Sequence, residues 1–115
     1  MTTEQLSNIQ TPFYHYDLSL LRRTVESIRK ATAEDVNFHV HYAVKACVAP
    51  EVLSTISSMG LGADCVSGGE IERAAECGFK PANIVYAGVG KADWEIEKAL
   101  ELGIEMFNVE SLEEL

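Results

Sequence analysis

The feature that most restricts the fold of this sequence is a regular alternation of strand-like and helix-like segments. Apolar runs centred near residues 41, 64, 85 and 107 recur about every 22 residues, and a segment with helical apolar spacing follows each. This alternation predicts repeated βα units on a parallel sheet. A doubly wound nucleotide-binding sheet is the alternative, but no Gly-x-Gly-x-x-Gly loop follows the first predicted strand. The short, even repeat therefore favours a (β/α)8 barrel.

The predicted elements follow from this spacing and from local start and stop signals. Strands are predicted at 38–44, 62–66, 83–87 and 105–109, with a further short strand at 11–16 (TPFYHY). Helices are predicted at 18–30 behind an Asp17 cap, from Pro50 to Gly60, at 69–77, at 93–102 behind an Asp93 cap, and from Ser111 onward.

The chain is predicted to be the first part of a larger barrel enzyme. Such a barrel needs roughly 250 residues, whereas this sequence has 115 and stops in the first turn of a predicted helix. Four strands cannot close a barrel, so the elements correspond to about its first four βα units.

Composition and charge exclude several classes of protein. Nine basic against eighteen acidic residues give a net charge of -9 without a basic patch, which argues against a nucleic-acid partner. Residues 1–10 lack an apolar signal core, and no apolar run reaches transmembrane length. The three cysteines have no Cys-x-x-Cys spacing, which argues against a disulfide framework or a zinc knuckle. We therefore predict a cytoplasmic protein with reduced thiols and no membrane partner.

The candidate functional residues are those that follow the predicted strands, because barrel active sites lie at the C-terminal strand ends. They are Lys45, Asp64, residues 67–70, the loop 88–91, and Asn108 with Glu110. Lys45 shares the inward face of its predicted strand with Ala43. A desolvated lysine amine is a nucleophile toward an aldehyde, which is the chemistry of a Schiff base. A solvated lysine at a strand end is the alternative.

Three other features each allow a functional and an ordinary interpretation. Asp64 either orients the lysine or is a simple loop carboxylate. The start of the next helix, Ser67-Gly68-Gly69, either binds an anion or only begins the helix. His39 and His41 form His-x-His on one strand face, as in some metal-dependent barrel hydrolases, but two histidines are a poor metal signature. Packed or hydrogen-bonded histidines are favoured, and no metal site is predicted.

Four motifs, in order along the chain, carry a family resemblance. They are TPFYHYD at 11–17, YAVKA at 42–46 with Lys45, GADCVSGGEI at 62–71, and NVESLEEL at 108–115. Together they resemble pyridoxal phosphate (PLP)-dependent decarboxylases with an alanine-racemase-like barrel. The Asp-x-x-Ser-Gly-Gly-Glu motif, which begins nineteen residues after Lys45, is similar to the diaminopimelate branch. Ornithine and arginine decarboxylases usually lack the two glycines.

The resemblance implies a fold and a cofactor. Residues 17–115 would form the first half of the PLP-binding barrel, and residues 1–16 would carry a strand of a second, β domain. Lys45 would form the Schiff base with pyridoxal 5'-phosphate, with Ala43, Asp64 and Glu70 beside the cofactor.

The resemblance also implies an activity: decarboxylation of meso-diaminopimelate to L-lysine and carbon dioxide, by a homodimer acting on a small amino acid. This chain alone would be inactive, because the phosphate loop, the acid that pairs with the ring and the substrate cysteine motif come later in that family. A barrel decarboxylase for ornithine, arginine or carboxynorspermidine, or a non-catalytic homologue, remains an alternative. Two departures from the family pattern are Cys47, where asparagine is common, and GVGK at 88–91.

Overall fold

A computed structural model describes residues 2–115 and contains a parallel sheet of four strands in chain order. The strands are β1 (His41–Ala43), β2 (Gly62–Cys65), β3 (Ile84–Tyr86) and β4 (Met106–Phe107). Each strand pairs with the next in parallel. This is the sheet that the βα repeat predicts, so the α/β class is confirmed.

Three helices connect these strands and two precede β1, and most begin at or within one residue of the predicted start. They are α1 (Thr3–Ser7), α2 (Leu18–Ala31), α3 (Pro50–Ser58), α4 (Gly68–Glu76) and α5 (Asp93–Leu102). The Asp17 carboxylate caps α2 by accepting the N–H groups of Ser19 and Leu20. These bonds and the one from the Ser19 hydroxyl lower the pKa of Asp17 to about 2.

The core lies between the helices and one face of the sheet. Along a strand, alternate side chains point to opposite faces, and the fully buried ones face the helices: Ala63, Cys65, Ile84 and Tyr86. The strand register aligns the other face as the row Ala43, Asp64, Val85 and Met106. That second face is the one a closed barrel would enclose.

Three differences between the predicted elements and the structure have a local physical cause. The first strand begins at His41 rather than residue 38, because Phe38 closes a turn by donating its N–H to the carbonyl of Asp35. The cap of α5 is Ala92 rather than Asp93, and the Glu95 carboxylate accepts the Ala92 N–H. Residues 112–114 form a turn and not a helix, although the Ser111 hydroxyl accepts the Glu114 N–H as a capping box requires.

The predicted strand at 11–16 is also absent from residues 2–115, and the unpredicted helix α1 lies just before it. The side chains of residues 11–16 are exposed and the segment pairs with no strand of the described chain. A strand needs a hydrogen-bonding partner, and the predicted partner is the β domain. The assignment of residues 1–16 to that domain stays a prediction.

Two further features concern the predicted reduced thiols and the apolar length of the helices. Cys47, Cys65 and Cys77 are all free. Burial raises the pKa of the Cys65 thiol to about 12, which keeps it protonated and inert. None of the helices in residues 2–115 is long and apolar enough to cross a bilayer.

Gly62 leaves room for a hydrogen bond that spans the N-terminal ends of the strands. The His41 imidazole on β1 approaches Glu105, just before β4, with 3.0 Å between Nε2 and Oε2. A Cβ on Gly62 would lie 2.5 Å from the His41 Nε2 and 2.7 Å from the Asn83 carbonyl oxygen. Only a glycine therefore fits between this ring and the backbone of the next strand.

Candidate functional site

Lys45 lies beyond the C-terminal end of β1, as predicted, but in a single 3-10 turn rather than in the strand. The turn spans Val44–Ala46, and the Cys47 N–H closes it on the Val44 carbonyl at 3.2 Å. Val44 is fully buried toward the helices, whereas the Lys45 side chain is exposed. Residues 2–115 therefore do not provide the desolvation expected of the Lys45 amine.

Asp64 lies on the neighbouring strand, in the same row as Ala43. The register pairs Ala43 directly with Asp64, and both are half-buried. Neither Lys45 nor Asp64 has an ion-pair partner within residues 2–115. The structure thus brings an uncommitted amine and an uncommitted carboxylate to adjacent strand ends.

The start of α4 is filled by the chain's own carboxylates. The Ser67 hydroxyl accepts the Glu70 N–H at 3.2 Å, and the Glu70 carboxylate accepts the Val66 N–H at 2.8 Å. The Glu95 carboxylate accepts the Gly68 N–H at 2.7 Å. An added anion would meet two negative charges here, so the structure favours a plain helix start over an anion site.

Loss of this cap gives a measurable prediction. Replacing Ser67 with alanine in the whole protein removes the acceptor for the Glu70 N–H, and we expect a stability loss of about 1 kcal/mol. Ser54→Ala, an exposed serine inside α3, is the matched control and should be neutral or slightly stabilising. Thermal unfolding of both variants checks this, and equal melting temperatures would contradict the role of Ser67 as a cap.

The loop after β3 is anchored by a buried lysine. Gly88 turns the chain with a φ of 108°, and the Lys91 side chain, 1% exposed, folds back beneath it. The Lys91 ammonium donates to the Gly88 carbonyl at 2.6 Å and to the Asn108 carbonyl at 2.8 Å, and it pairs with Glu114. This contact with Lys91 is the main reason that the pKa of Glu114 lies below its usual range.

Tyr86 and Glu95 lie next to this lysine. The Lys91 Nζ is 5.4 Å from the centre of the Tyr86 ring. Burial, together with the nearby Glu95 carboxylate, raises the pKa of Tyr86 to about 12. The Tyr86 hydroxyl makes no well-aligned hydrogen bond within residues 2–115, so we attribute the influence of Glu95 to its charge at short range.

The sequence did not predict that Lys91, Glu95, Glu114 and Tyr86 lie close together. The loop 88–91 was a candidate, but nothing local shows that Lys91 is buried. Glu95 had one available signal, because it occupies the third position of α5, where a carboxylate commonly caps. Its second partner, Gly68, lies too far away along the chain to be read from spacing.

The two histidines do not form a metal site in residues 2–115. His39 is exposed, while His41 is hydrogen-bonded to Glu105. The described residues contain no group of three or more histidine, cysteine, aspartate or glutamate side chains that could hold a metal ion. The hydrogen-bonded interpretation therefore fits His41.

A broad depression of the described chain lies away from Lys45. It opens at the N-terminal ends of the strands, against α2, and Arg29, His39 and Glu105 are among its lining residues. Barrel enzymes carry their chemistry at the opposite, C-terminal ends. We therefore place the candidate site at Lys45 and Asp64 and not in this depression.

Comparisons with known proteins agree on one family. The family described as pyridoxal-dependent decarboxylase, pyridoxal binding domain, matches residues 18–115. A diaminopimelate decarboxylase of Bacteroides thetaiotaomicron is 54% identical over 112 residues, which cover 97% of this chain and 29% of that protein.

Solved structures give the same picture. The diaminopimelate decarboxylase of Helicobacter pylori, complexed with L-lysine, matches with a TM-score of 0.84 at 42% identity, over 94% of this chain and 27% of that one. The ornithine decarboxylase of Entamoeba histolytica matches with a TM-score of 0.80 at 28% identity, over 94% and 32%. The chain thus spans less than a third of these relatives. The predicted partial barrel is confirmed by these neighbours.

Proposed function

This chain belongs to the family of pyridoxal-dependent decarboxylases, and we propose that the whole protein converts meso-diaminopimelate to L-lysine and carbon dioxide in lysine biosynthesis. The observation that carries this proposal is the 54% identity, over 97% of the chain, to a diaminopimelate decarboxylase. Identity to the ornithine decarboxylase is only 28%. The Asp-x-x-Ser-Gly-Gly-Glu motif at 64–70 supports the same branch.

The residues at the candidate site fit the pyridoxal cofactor of the family. An aldehyde cofactor requires a primary amine that no carboxylate of the protein holds, and Lys45 meets this requirement within residues 2–115. Asp64 provides a half-buried carboxylate one strand away. Ala43 offers only a methyl group on the same face, which leaves space for a bulky ligand.

In this proposal each residue has a definite role. Lys45 would hold the cofactor covalently through Nζ and would carry a proton at that atom when free. Asp64 supplies negative charge beside the amine, and Ala43 lines the face on which the cofactor lies. When bound, pyridoxal phosphate supplies the ring that accepts the electron pair released as carbon dioxide leaves.

The role of Glu70 is indirect. Its carboxylate accepts the Val66 N–H, and Val66 lies two residues beyond Asp64. Glu70 therefore holds the segment that follows β2, and we propose that it supports the cofactor site through Asp64.

We further propose that the whole protein is a cytoplasmic homodimer whose site is completed across the two subunits. The free thiols and the likeness to biosynthetic decarboxylases support this. Residues 1–16 would join the β domain and residues 17–115 the barrel.

A substrate comparison with the purified whole protein tests the activity. We expect kcat/KM for meso-diaminopimelate to exceed that for ornithine, arginine and carboxynorspermidine by at least about 100-fold, because a polar pocket discriminates strongly against ligands that leave its groups unpaired. Lysine and carbon dioxide should form in equal amounts. A preference for ornithine would reassign the branch, and cofactor binding without turnover of any of these amines would favour a non-catalytic homologue.

A further inference from the structure

A network of partly buried polar contacts joins the three segments that leave β2, β3 and β4. We call Lys91, Glu95 and Glu114, with the Tyr86 side chain between them, the loop-bridging network. Glu95 connects the loop after β3 to the segment after β2, and Lys91 connects the same loop to the segment after β4. The loop after β3 is therefore held from both sides.

Lys91 is fully committed to these contacts. An ammonium has three N–H donors, and the structure offers three acceptors: the carbonyls of Gly88 and Asn108 and the carboxylate of Glu114. A buried charge is tolerated only when it is paired and hydrogen-bonded in this way. The amine is thus unavailable as a nucleophile or a base, and its effect must be on the position of its partners.

Glu95 holds the other side of the loop with both carboxylate oxygens. Oε2 accepts the Ala92 N–H at 3.0 Å, and Oε1 accepts the Gly68 N–H at 2.7 Å. These two bonds lower the pKa of Glu95. The carboxylate therefore stays charged at neutral pH, and it fixes the start of α5 against the start of α4.

We call the C-terminal strand ends, with the loops that follow them, the mouth of the sheet. The loop-bridging network lies behind this mouth, on the side of the helices. Tyr86 faces the helices and is fully buried, and Lys91 lies over its ring. Gly88, two residues after β3, and Asn108, directly after β4, nevertheless lie at the same end of the sheet as Lys45. Loops at this end build the active sites of barrel enzymes, and a shift of about 1 Å there can lower the rate about 100-fold.

We propose that Lys91 is a positioning residue, whose ammonium fixes the loop after β3 against the segment after β4 and so sets the shape of the mouth around Lys45. This inference rests on the proposed function only in taking that mouth as the active site. Lys91 itself touches neither substrate nor cofactor.

The test compares Lys91→Met with Lys98→Met in the whole protein loaded with pyridoxal phosphate. Methionine keeps most of the stem of Lys91 but leaves two carbonyls and one carboxylate without their donor. We expect kcat/KM for meso-diaminopimelate to fall about 100-fold. We also expect amide hydrogen exchange to become faster at 88–92 and 108–114 but not in β1 or β2. Lys98, which pairs with Glu72 on the surface of α5, should tolerate the change.

Two outcomes would overturn the proposal. The first is a kcat/KM of Lys91→Met within about threefold of that of Lys98→Met, which is small on the scale of such rate effects. The second is amide hydrogen exchange that becomes faster evenly over the whole chain. If Lys91→Met does not fold, Glu114→Ala replaces it in the test. Its kcat/KM and its amide hydrogen exchange at 108–114 are then compared with those of Lys98→Met. The exchange readout needs no substrate. A failure of the proposed activity therefore remains distinguishable from a failure of this inference.

Discussion

Replacing Lys45 with alanine in the whole protein is expected to abolish decarboxylation and covalent attachment of the cofactor. Lys45 is the amine at the C-terminal strand ends that no carboxylate of the described chain engages. Loss of a covalent catalytic residue lowers kcat on the order of 10⁴-fold or more. The visible absorbance band that marks pyridoxal bound to lysine should disappear. Activity and visible spectra of the purified variant measure both effects.

Two controls separate this role from a general loss of structure. Lys80→Ala changes an exposed lysine before β3 and should leave the spectrum and activity unchanged. Borohydride reduction of the unmodified protein, followed by peptide mapping, should place the cofactor on the peptide that contains Lys45. A label on Lys91 instead would refute the assignment, and it would also require the buried contacts of Lys91 to open.

The position of Lys45 was predictable because alternation along a strand is a local property. YAVK continues the alternating run of β1, so it predicts Lys45 at the C-terminal end of that strand. The 3-10 turn was not predictable, because nothing in the four residues distinguishes a continuing strand from a strand that ends at Ala43.

Whether the sequence predicts a polar contact depends on how far apart its two partners lie along the chain. The Ser67 cap of α4 joins residues three apart, and its sequence pattern was visible in the predicted start of the helix. The Lys91–Glu114 pair joins residues 23 apart, and it exists only because β3 and β4 bring two loops together. The spacing of residues along the chain therefore does not predict such a contact.

The strand predicted at 11–16 is not formed within residues 2–115, for a related reason, and it stays a prediction for the whole protein. Its aromatic and β-prone residues fit a strand, but pairing requires a neighbour, and none exists in residues 2–115.

The second large effect is expected from Gly62→Ala. The new methyl group would lie 2.5 Å from the His41 ring nitrogen and 2.7 Å from the Asn83 carbonyl oxygen. The ring can rotate, at the expense of its bond with Glu105, but the carbonyl belongs to the backbone beside β3 and can move only with the sheet. Overpacking of this kind destabilises by about 1–3 kcal/mol, so the melting temperature of the whole protein should fall by several degrees.

Gly69→Ala is the matched control for this substitution. Gly69 is exposed in the first turn of α4, and a Cβ there meets no atom within 4 Å. Alanine favours the helix over glycine by about 0.5–1 kcal/mol, so the control should be neutral or slightly stabilising. Equal melting temperatures for the two variants would contradict the close approach at Gly62.

The double variant His41→Ala/Gly62→Ala identifies which neighbour matters. Removal of the ring relieves one of the two close contacts and leaves the one with the Asn83 carbonyl. The double variant should therefore be more stable than the sum of the two single changes predicts, yet still less stable than His41→Ala alone. If the double variant matches His41→Ala, the ring is the whole obstacle and the sheet backbone tolerates a methyl group. If the two single effects simply add, the His41 ring does not obstruct the methyl group.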